Sequence, residues 1–145
     1  MYKHILIATD GSELAAKAVD AGLGLAKQLG AKATAVTATE PWAALVSGEA
    51  AFGFPPDEYE KAAAFTAARV LAGVTEAAAR VGVACATLHA KDQYPAEAIL
   101  EAAKTHGCDL IVMASHGRRG LTRLLLGSEA VRVLTSSTVP VLICR

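Results

Sequence analysis

The sequence predicts one α/β domain over residues 1–145: a doubly wound parallel sheet of five strands with helices on both faces. Three observations predict it. Strand-like and helix-like patterns alternate along the whole chain, the order of βαβ units and not of a β-sandwich or a helical bundle. Two strand-like segments, ILIA within 4–8 and LIVM at 110–113, are continuous apolar runs, as strands covered on both faces require. A length of 145 residues suits a single domain, and neither an internal repeat nor a linker divides it.

Residues 4–8 form the first strand. After Gly11-Ser12 come Leu14, Ala18, Ala21, Leu25 and Leu29 at helical spacing, and Gly30 stops that helix. Residues 33–39, Thr alternating with Ala and Val, form the second strand, which ends at Glu40-Pro41. From 41 to 56 the composition turns to Trp, Gly, Ser, Phe and Pro without a period, so a long loop is expected, of a kind often functional or mobile. Residues 57–80 make a long Ala-rich helix and 83–89 the third strand. Pro95 opens a helix over 96–105 that Gly107 ends before the fourth strand. A last helix covers 129–136, and PVLIC at 140–144 is a short terminal strand, giving five strands and four helices. Right-handed crossovers place a switch point beside the first strand, so that strands one and four are neighbours, and the sheet order expected for this fold class is 3-2-1-4-5. The order reverses beside the first strand, and the C-terminal ends of strands one and four frame a crevice there.

The chemistry-bearing residues fall after those two strands. Beyond the fourth strand, Ser115, His116 and Gly117 break the chain, and a glycine lets backbone N–H groups approach an anion. Arg118, Arg119 and Arg123 place three guanidinium groups within six residues, where planar forks suit phosphate oxygens or form a solvated basic face. Gly127-Ser128 precedes the last helix, whose N-terminus carries partial positive charge, so that a Ser128 N-cap and a Ser128 phosphate contact are nearly the same role. After the first strand comes Ala8-Thr9-Asp10-Gly11-Ser12. Ser12 reads as a helix cap, and Asp10 equally as a cap or as an acceptor for a ligand hydroxyl.

Composition excludes other classes. Formal net charge is zero, so no general attraction to nucleic acid or anionic lipid is expected. No apolar run approaches the ~20 residues that cross a bilayer. The first residues lack a signal-peptide pattern, so a cytoplasmic location is expected. Cys85, Cys108 and Cys144 are widely spaced and read as reduced, buried small hydrophobes. His4, His89 and His106 show no metal-ligand spacing, and no titratable partner is placed to make His116 a general base. No G-x-x-x-x-G-K-[ST] loop is present, and TDGSE does not match the SGG-x-DS motif of pyrophosphatase-type nucleotide enzymes. Rapid ATP hydrolysis therefore has no visible machinery.

The segment DLIVMASHGRRGLTRLLLGS resembles the nucleotide-binding signature of the universal stress protein family, G-x2-G-x9-G-[S/T]. Ala114 stands at the first glycine, Gly117 at the second, and Gly127-Ser128 follow after nine residues. A methyl at Ala114 restricts positive φ and crowds a ribose. The resemblance extends over the whole chain, from the first strand and its Asp to the closing STVPVLIC. It implies an adenine-nucleotide alpha-hydrolase-like fold that binds ATP. Adenine would lie toward the backbone of Ala38, ribose near Asp10 and Ala114, and triphosphate on Gly117, Arg118, Gly127 and Ser128. Ala8, Thr9, Arg119, Gly120 and Glu129 complete the implied set. Mg2+ would bridge the phosphates, held largely by the nucleotide. The family pairs as homodimers through the last strand, here opened by Pro140 and closed by Arg145, an apolar sheet edge that templates another strand. The rival reading packs Leu142 and Cys144 on the last helix. The implied role is regulatory or stress-responsive; the alternatives are a dimeric interaction protein that binds no nucleotide and a slow ATPase.

Overall fold

The computed structural model describes residues 1–118 and 125–145. Along the chain run β1 (His4–Ala8), α1 (Glu13–Leu29), β2 (Lys32–Thr39), α2 (Trp42–Leu45), α3 (Ala50–Gly53), α4 (Pro56–Val81), β3 (Cys85–Lys91), α5 (Pro95–Thr105), β4 (Leu110–Ala114), α6 (Ser128–Ser136) and β5 (Val141–Cys144). The five strands form one sheet in the order β3-β2-β1-β4-β5, every neighbouring pair parallel. The expected architecture is therefore present, a Rossmann-like α/β fold with its switch point between β1 and β4.

β1 and β4 are buried along their entire lengths, as the apolar runs 5–8 and 110–114 require, and His4 at the start of β1 is buried with them. Their side chains alternate between two cores. Ile5, Ile7 and Val112 pack with Leu23 of α1 and Leu71 and Val74 of α4, while Leu6 and Ile111 pack with Ile99 of α5 and Val133 of α6. Burying each such branched side chain contributes roughly 1.5–3 kcal/mol, so the central strands hold both layers to the sheet. α1 comes so close to β1 that a Cβ at Gly22 would lie 2.7 Å from Ile7 Cγ1.

At the opposite end from the switch-point crevice, Asp109 ties β4 to β1. Its carboxylate accepts the amides of Lys3 (2.9 Å) and His4 (3.1 Å), and its own amide donates to the His4 carbonyl at 2.9 Å. Burial opposes ionisation of Asp109, but the two amide hydrogen bonds outweigh it and hold the carboxyl below its ordinary range. The His4 ring is buried against Thr34, 2.8 Å from its hydroxyl. Burial and the nearby Lys32 ammonium lower its pKa from 6.5.

Three segments differ from the sequence reading. The third strand starts at Cys85, not at 83, and runs to Lys91. Gly82 ends α4 in the left-handed conformation at φ +74, and Val83 donates its amide back to Ala78 at 3.0 Å, so Val83 belongs to the helix cap. The segment after β2 is not a plain loop: it holds the two single-turn helices α2 and α3. The Trp42 indole donates to the Phe54 carbonyl at 2.8 Å, and the Tyr59 hydroxyl donates to the Glu40 carbonyl at 2.6 Å. Phe54 meets Tyr59 edge to face, with centroids 5.9 Å apart. At the sheet edge, Val141 and Ile143 pack toward α5 and α6, Cys144 packs on the α1 side, and Leu142 stays 41% exposed. Packing of Leu142 and Cys144 on the last helix is thereby corrected, because strand alternation sends them to the other face. The three cysteines are free thiols; Cys108 is buried, and burial pushes its pKa up to about 11, while Cys85 and Cys144 are half-buried.

Candidate functional site

A cavity of about 620 Å³ opens at the C-terminal ends of β1, β2 and β4. α4 walls it on one side, and the first turns of α5 and α6 wall it on the other. This is the crevice that the strand-order reversal creates.

Asp10 organises its mouth. β1 ends at Ala8, and the next turn is tied by Thr9, whose hydroxyl accepts the Gly11 amide at 3.2 Å. Asp10 Oδ1 then accepts the Ser12 amide at 2.9 Å, while Oδ2 accepts the Arg118 amide at 2.7 Å. One carboxylate thus joins the loop after β1 to the loop after β4, across 108 residues of sequence. Ser12 takes the expected cap role, its hydroxyl accepting the Ala15 amide at 3.2 Å. Gly117 must be glycine for this clamp to close, since a Cβ there would lie 2.8 Å from Asp10 Oδ2. The Arg118 guanidinium folds over Gly11, with Nη2 3.1 Å from where a Cβ would stand.

Ala114 is the last residue of β4, paired with Cys144 and 8% exposed. Its backbone is not in the positive-φ region, where Asp92 alone stands among the described non-glycine residues. Alanine therefore incurs no conformational penalty at this position of the motif, and the strain foreseen from sequence does not arise. Beyond it, Ser115 Oγ lies 2.9 Å from His116 Nδ1, which gives the histidine a hydroxyl partner that sequence had not placed.

The start of α6 corrects one expectation. Gly127, not Ser128, occupies the N-cap, and no side chain caps the helix. Ser128 is the first helical residue and lines the cavity. The Gly127 amide donates to the Ser115 carbonyl at 2.8 Å, and a Cβ on Gly127 would stand 3.1 Å from that oxygen, so the two halves of the motif are pressed together. Glu129 turns to the neighbouring helix: its Oε2 accepts the Ala96 amide at 2.7 Å, placing negative charge at the N-terminus of α5. Its other oxygen lies 3.7 Å from Arg132. Arg119, Gly120 and Arg123 lie outside the described residues.

Ala38 is positioned by strand alternation. Val36 faces β1, since its carbonyl accepts the Thr9 amide at 3.0 Å, and Thr39 faces β3, its carbonyl accepting the Gln93 amide at 3.1 Å. Two residues beyond Val36, Ala38 therefore turns its N–H and C=O to the β1 side, past the last rung of that pairing at Ala8 and Val36. One donor and one acceptor side by side suit the edge of a planar heterocycle.

Sequence reasoning missed the α4 wall. Ala62, Ala63, Thr66, Ala67 and Val70 line the cavity there, with Leu45, Phe54 and Tyr59 closing above. The available signal was the run of small residues on α4, which leaves room beside the sheet. Among the described residues no group of three or more His, Cys, Asp or Glu side chains converges as a metal site. No described helix is long and apolar enough to cross a membrane.

The universal stress protein family profile matches residues 1–145. The chain belongs to the universal stress protein family. It is 35% identical over 149 residues to the universal stress protein YxiE of Bacillus subtilis, covering 100% of both chains. It is 37% identical over 145 residues to a universal stress protein of Thermus aquaticus, again covering 100% of each. The solved UspA of Lactobacillus plantarum shares the fold at a TM-score of 0.82 and 22% identity, covering 99% of this chain and 98% of that one. Two further neighbours are nucleotide complexes: a universal stress protein with cAMP (TM-score 0.71, 23% identity) and one from Archaeoglobus fulgidus with dAMP (TM-score 0.68, 19% identity). Each covers 99% of this chain. In this universal stress protein Gly117, Gly127 and Ser128 line the cavity at the C-terminal ends of β1, β2 and β4.

Proposed function

We propose that the protein binds ATP in this crevice and acts as a regulatory stress-response protein of the cytoplasm, not as a fast enzyme. The observation that carries the reading is the Asp10 clamp, which draws the loops after β1 and β4 together at one mouth beside the uncapped N-terminus of α6. Adenine lies toward the Ala38 backbone, and ribose lies near Asp10 and Ala114, with Ala8 and Thr9 beneath it. The triphosphate follows Gly117, Arg118, Gly127 and Ser128, where main-chain amides and a helix dipole favour an anion. Arg119, Gly120 and Glu129 belong to the same proposed set. The cavity, about 620 Å³, falls in the size range of nucleotide-type ligand sites. That fold neighbours hold cAMP and dAMP supports a nucleotide.

Mg2+ enters with the nucleotide as a bridge between phosphates. His116 leans on a neutral serine hydroxyl, with no oriented acid behind it among the described residues, so any hydrolysis is slow. A homodimer forms through the last strand, from Pro140 to Arg145, where Leu142 is exposed on a sheet edge. Bound nucleotide steadies the segment from Trp42 to Pro56, whose Leu45 and Phe54 line the cavity, and so changes the surface offered to partners.

One observation favours a second reading, a dimeric interaction protein that takes no nucleotide: each oxygen of Asp10 already accepts one of the protein's own amides, which gives the carboxylate a structural role without a ligand. The two readings are separated by denaturing freshly purified protein and analysing the supernatant by absorbance and mass spectrometry. The first predicts released adenine nucleotide and a melting temperature raised by added ATP. Absence of both contradicts it.

A further inference from the structure

Several threonines of the strands and of the loops that follow them are tied into the fold. Thr9 holds Gly11, Thr34 meets His4, and Thr39 Oγ1 lies 2.6 Å from His89 Nε2. On the helices, Thr75 and Thr135 bond back to the carbonyl one turn earlier. Thr37 is different. It is 94% buried, with 6% of its surface exposed, yet its hydroxyl makes no hydrogen bond among the described residues. No side-chain oxygen among the described residues is both sealed from solvent and unpartnered, so the Thr37 hydroxyl keeps an opening, and Thr37 lines the cavity.

Strand alternation sets its direction. Ala33 and Ala35 pack in the core between the sheet and α1 and α4, so residue 37 points to that same face. Thr66 of α4, the helix packed on that face of the sheet, also lines the cavity and, unlike Thr75 and Thr135, does not bond back along its helix. The neighbouring residues that α4 gives to the cavity wall are apolar: Ala63, Ala67 and Val70. A hydroxyl that opens into the cavity is satisfied by solvent, and a ligand that closes the cavity must offer it a hydrogen bond or leave it buried and unpaired.

We infer that Thr37 is a ligand-binding residue, its hydroxyl, with that of Thr66 on α4, bonding the nucleoside half of the ligand. This rests on the nucleotide reading above. It adds a side-chain contact on the α4 face, away from the phosphate-binding amides at α6.

The test is calorimetric titration of wild type, Thr37→Val and Thr37→Ser with adenosine and with ATP, alongside thermal melts of the unliganded proteins. Thr37→Val keeps the side-chain shape and deletes the hydroxyl. It should weaken adenosine and ATP by the same factor, about five-fold for one hydrogen bond, while Thr37→Ser stays within about two-fold of wild type. The unliganded Thr37→Val protein should melt no lower than wild type, because no internal bond is lost. The inference is overturned if Thr37→Val binds both ligands like wild type, if it loses ATP but not adenosine, or if it melts lower, which would mark a structural role. Wild type that binds neither ligand overturns the nucleotide reading itself, whereas wild type that binds both while Thr37→Val is unaffected overturns this inference alone.

Discussion

Replacing Asp10 with Asn tests the clamp at its centre. The carboxylate accepts amides from Ser12 at 2.9 Å and Arg118 at 2.7 Å. Asn has one acceptor oxygen, so in either rotamer its NH2 faces one of the two N–H groups, donor against donor. A hydrogen bond to a charged group contributes about 1.5–3 kcal/mol when buried, and Asp10 is half-buried, so the lower end applies. The expected loss is about 1.5 kcal/mol, or about 3–6 °C in melting temperature for a domain of this size. Urea denaturation and thermal melts at pH 7 read it, with Ser12→Ala as the control that removes a helix cap and spares the Arg118 contact. Because the clamp also shapes the mouth, ATP affinity should fall about ten-fold in Asp10→Asn and little in Ser12→Ala. A variant with wild-type stability and wild-type ATP affinity would refute the clamp.

Gly22→Ala would put a Cβ 2.7 Å from Ile7 Cγ1 and 2.8 Å from its Cδ1. Overpacking of about 1–3 kcal/mol should outweigh the ~1 kcal/mol gain in helix propensity, visible as a lower urea midpoint. The folded pKa values of His4 and His89 lie below 6.5, in each case chiefly through burial, with Lys32 and Lys91 as the next causes. The unfolded chain then takes up protons first, so stability holds above pH 6.5 and falls as pH drops through 6.5 toward the lower folded values. His4→Gln should flatten that slope in denaturation series from pH 8 to 5; an unchanged slope would show that His4 does not titrate there. For Asp109 the folded pKa is depressed, so its stabilisation persists above the ordinary carboxylate range and disappears on acidification through the folded value. Leu142→Arg places charge on the exposed β5 edge and should convert a dimer to a monomer in sedimentation velocity; identical sedimentation of variant and wild type would move the interface elsewhere.

The central strands were legible because burial on both faces leaves an unbroken apolar run, and β1 matches residues 4–8 end to end. Gly30 was legible because a left-handed C-cap favours glycine. The start of β3 was not, since Val83 reads as a strand residue and only the geometry of Gly82 shows that the helix cap claims it. Nor were α2 and α3, which follow no period and are braced by Trp42, Phe54 and Tyr59. At the site, the glycines and Asp10 stood out as residue types with a job. Their connection did not, because Asp10 and Arg118 meet only through the adjacency of β1 and β4. The α4 wall was silent for a different reason: alanines give space to a cavity and carry no chemistry that names it. Thr37 looked like any strand threonine until its missing partner was seen.

The central claim is that an adenine nucleotide occupies the mouth between β1 and β4. Backbone amide NMR during titration with ATP tests it most directly. The largest shifts should fall on Ala38, Gly117, Arg118, Gly127 and Ser128, saturating together with one dissociation constant. Saturable shifts confined to other surfaces, or no shifts at millimolar ATP, would contradict it.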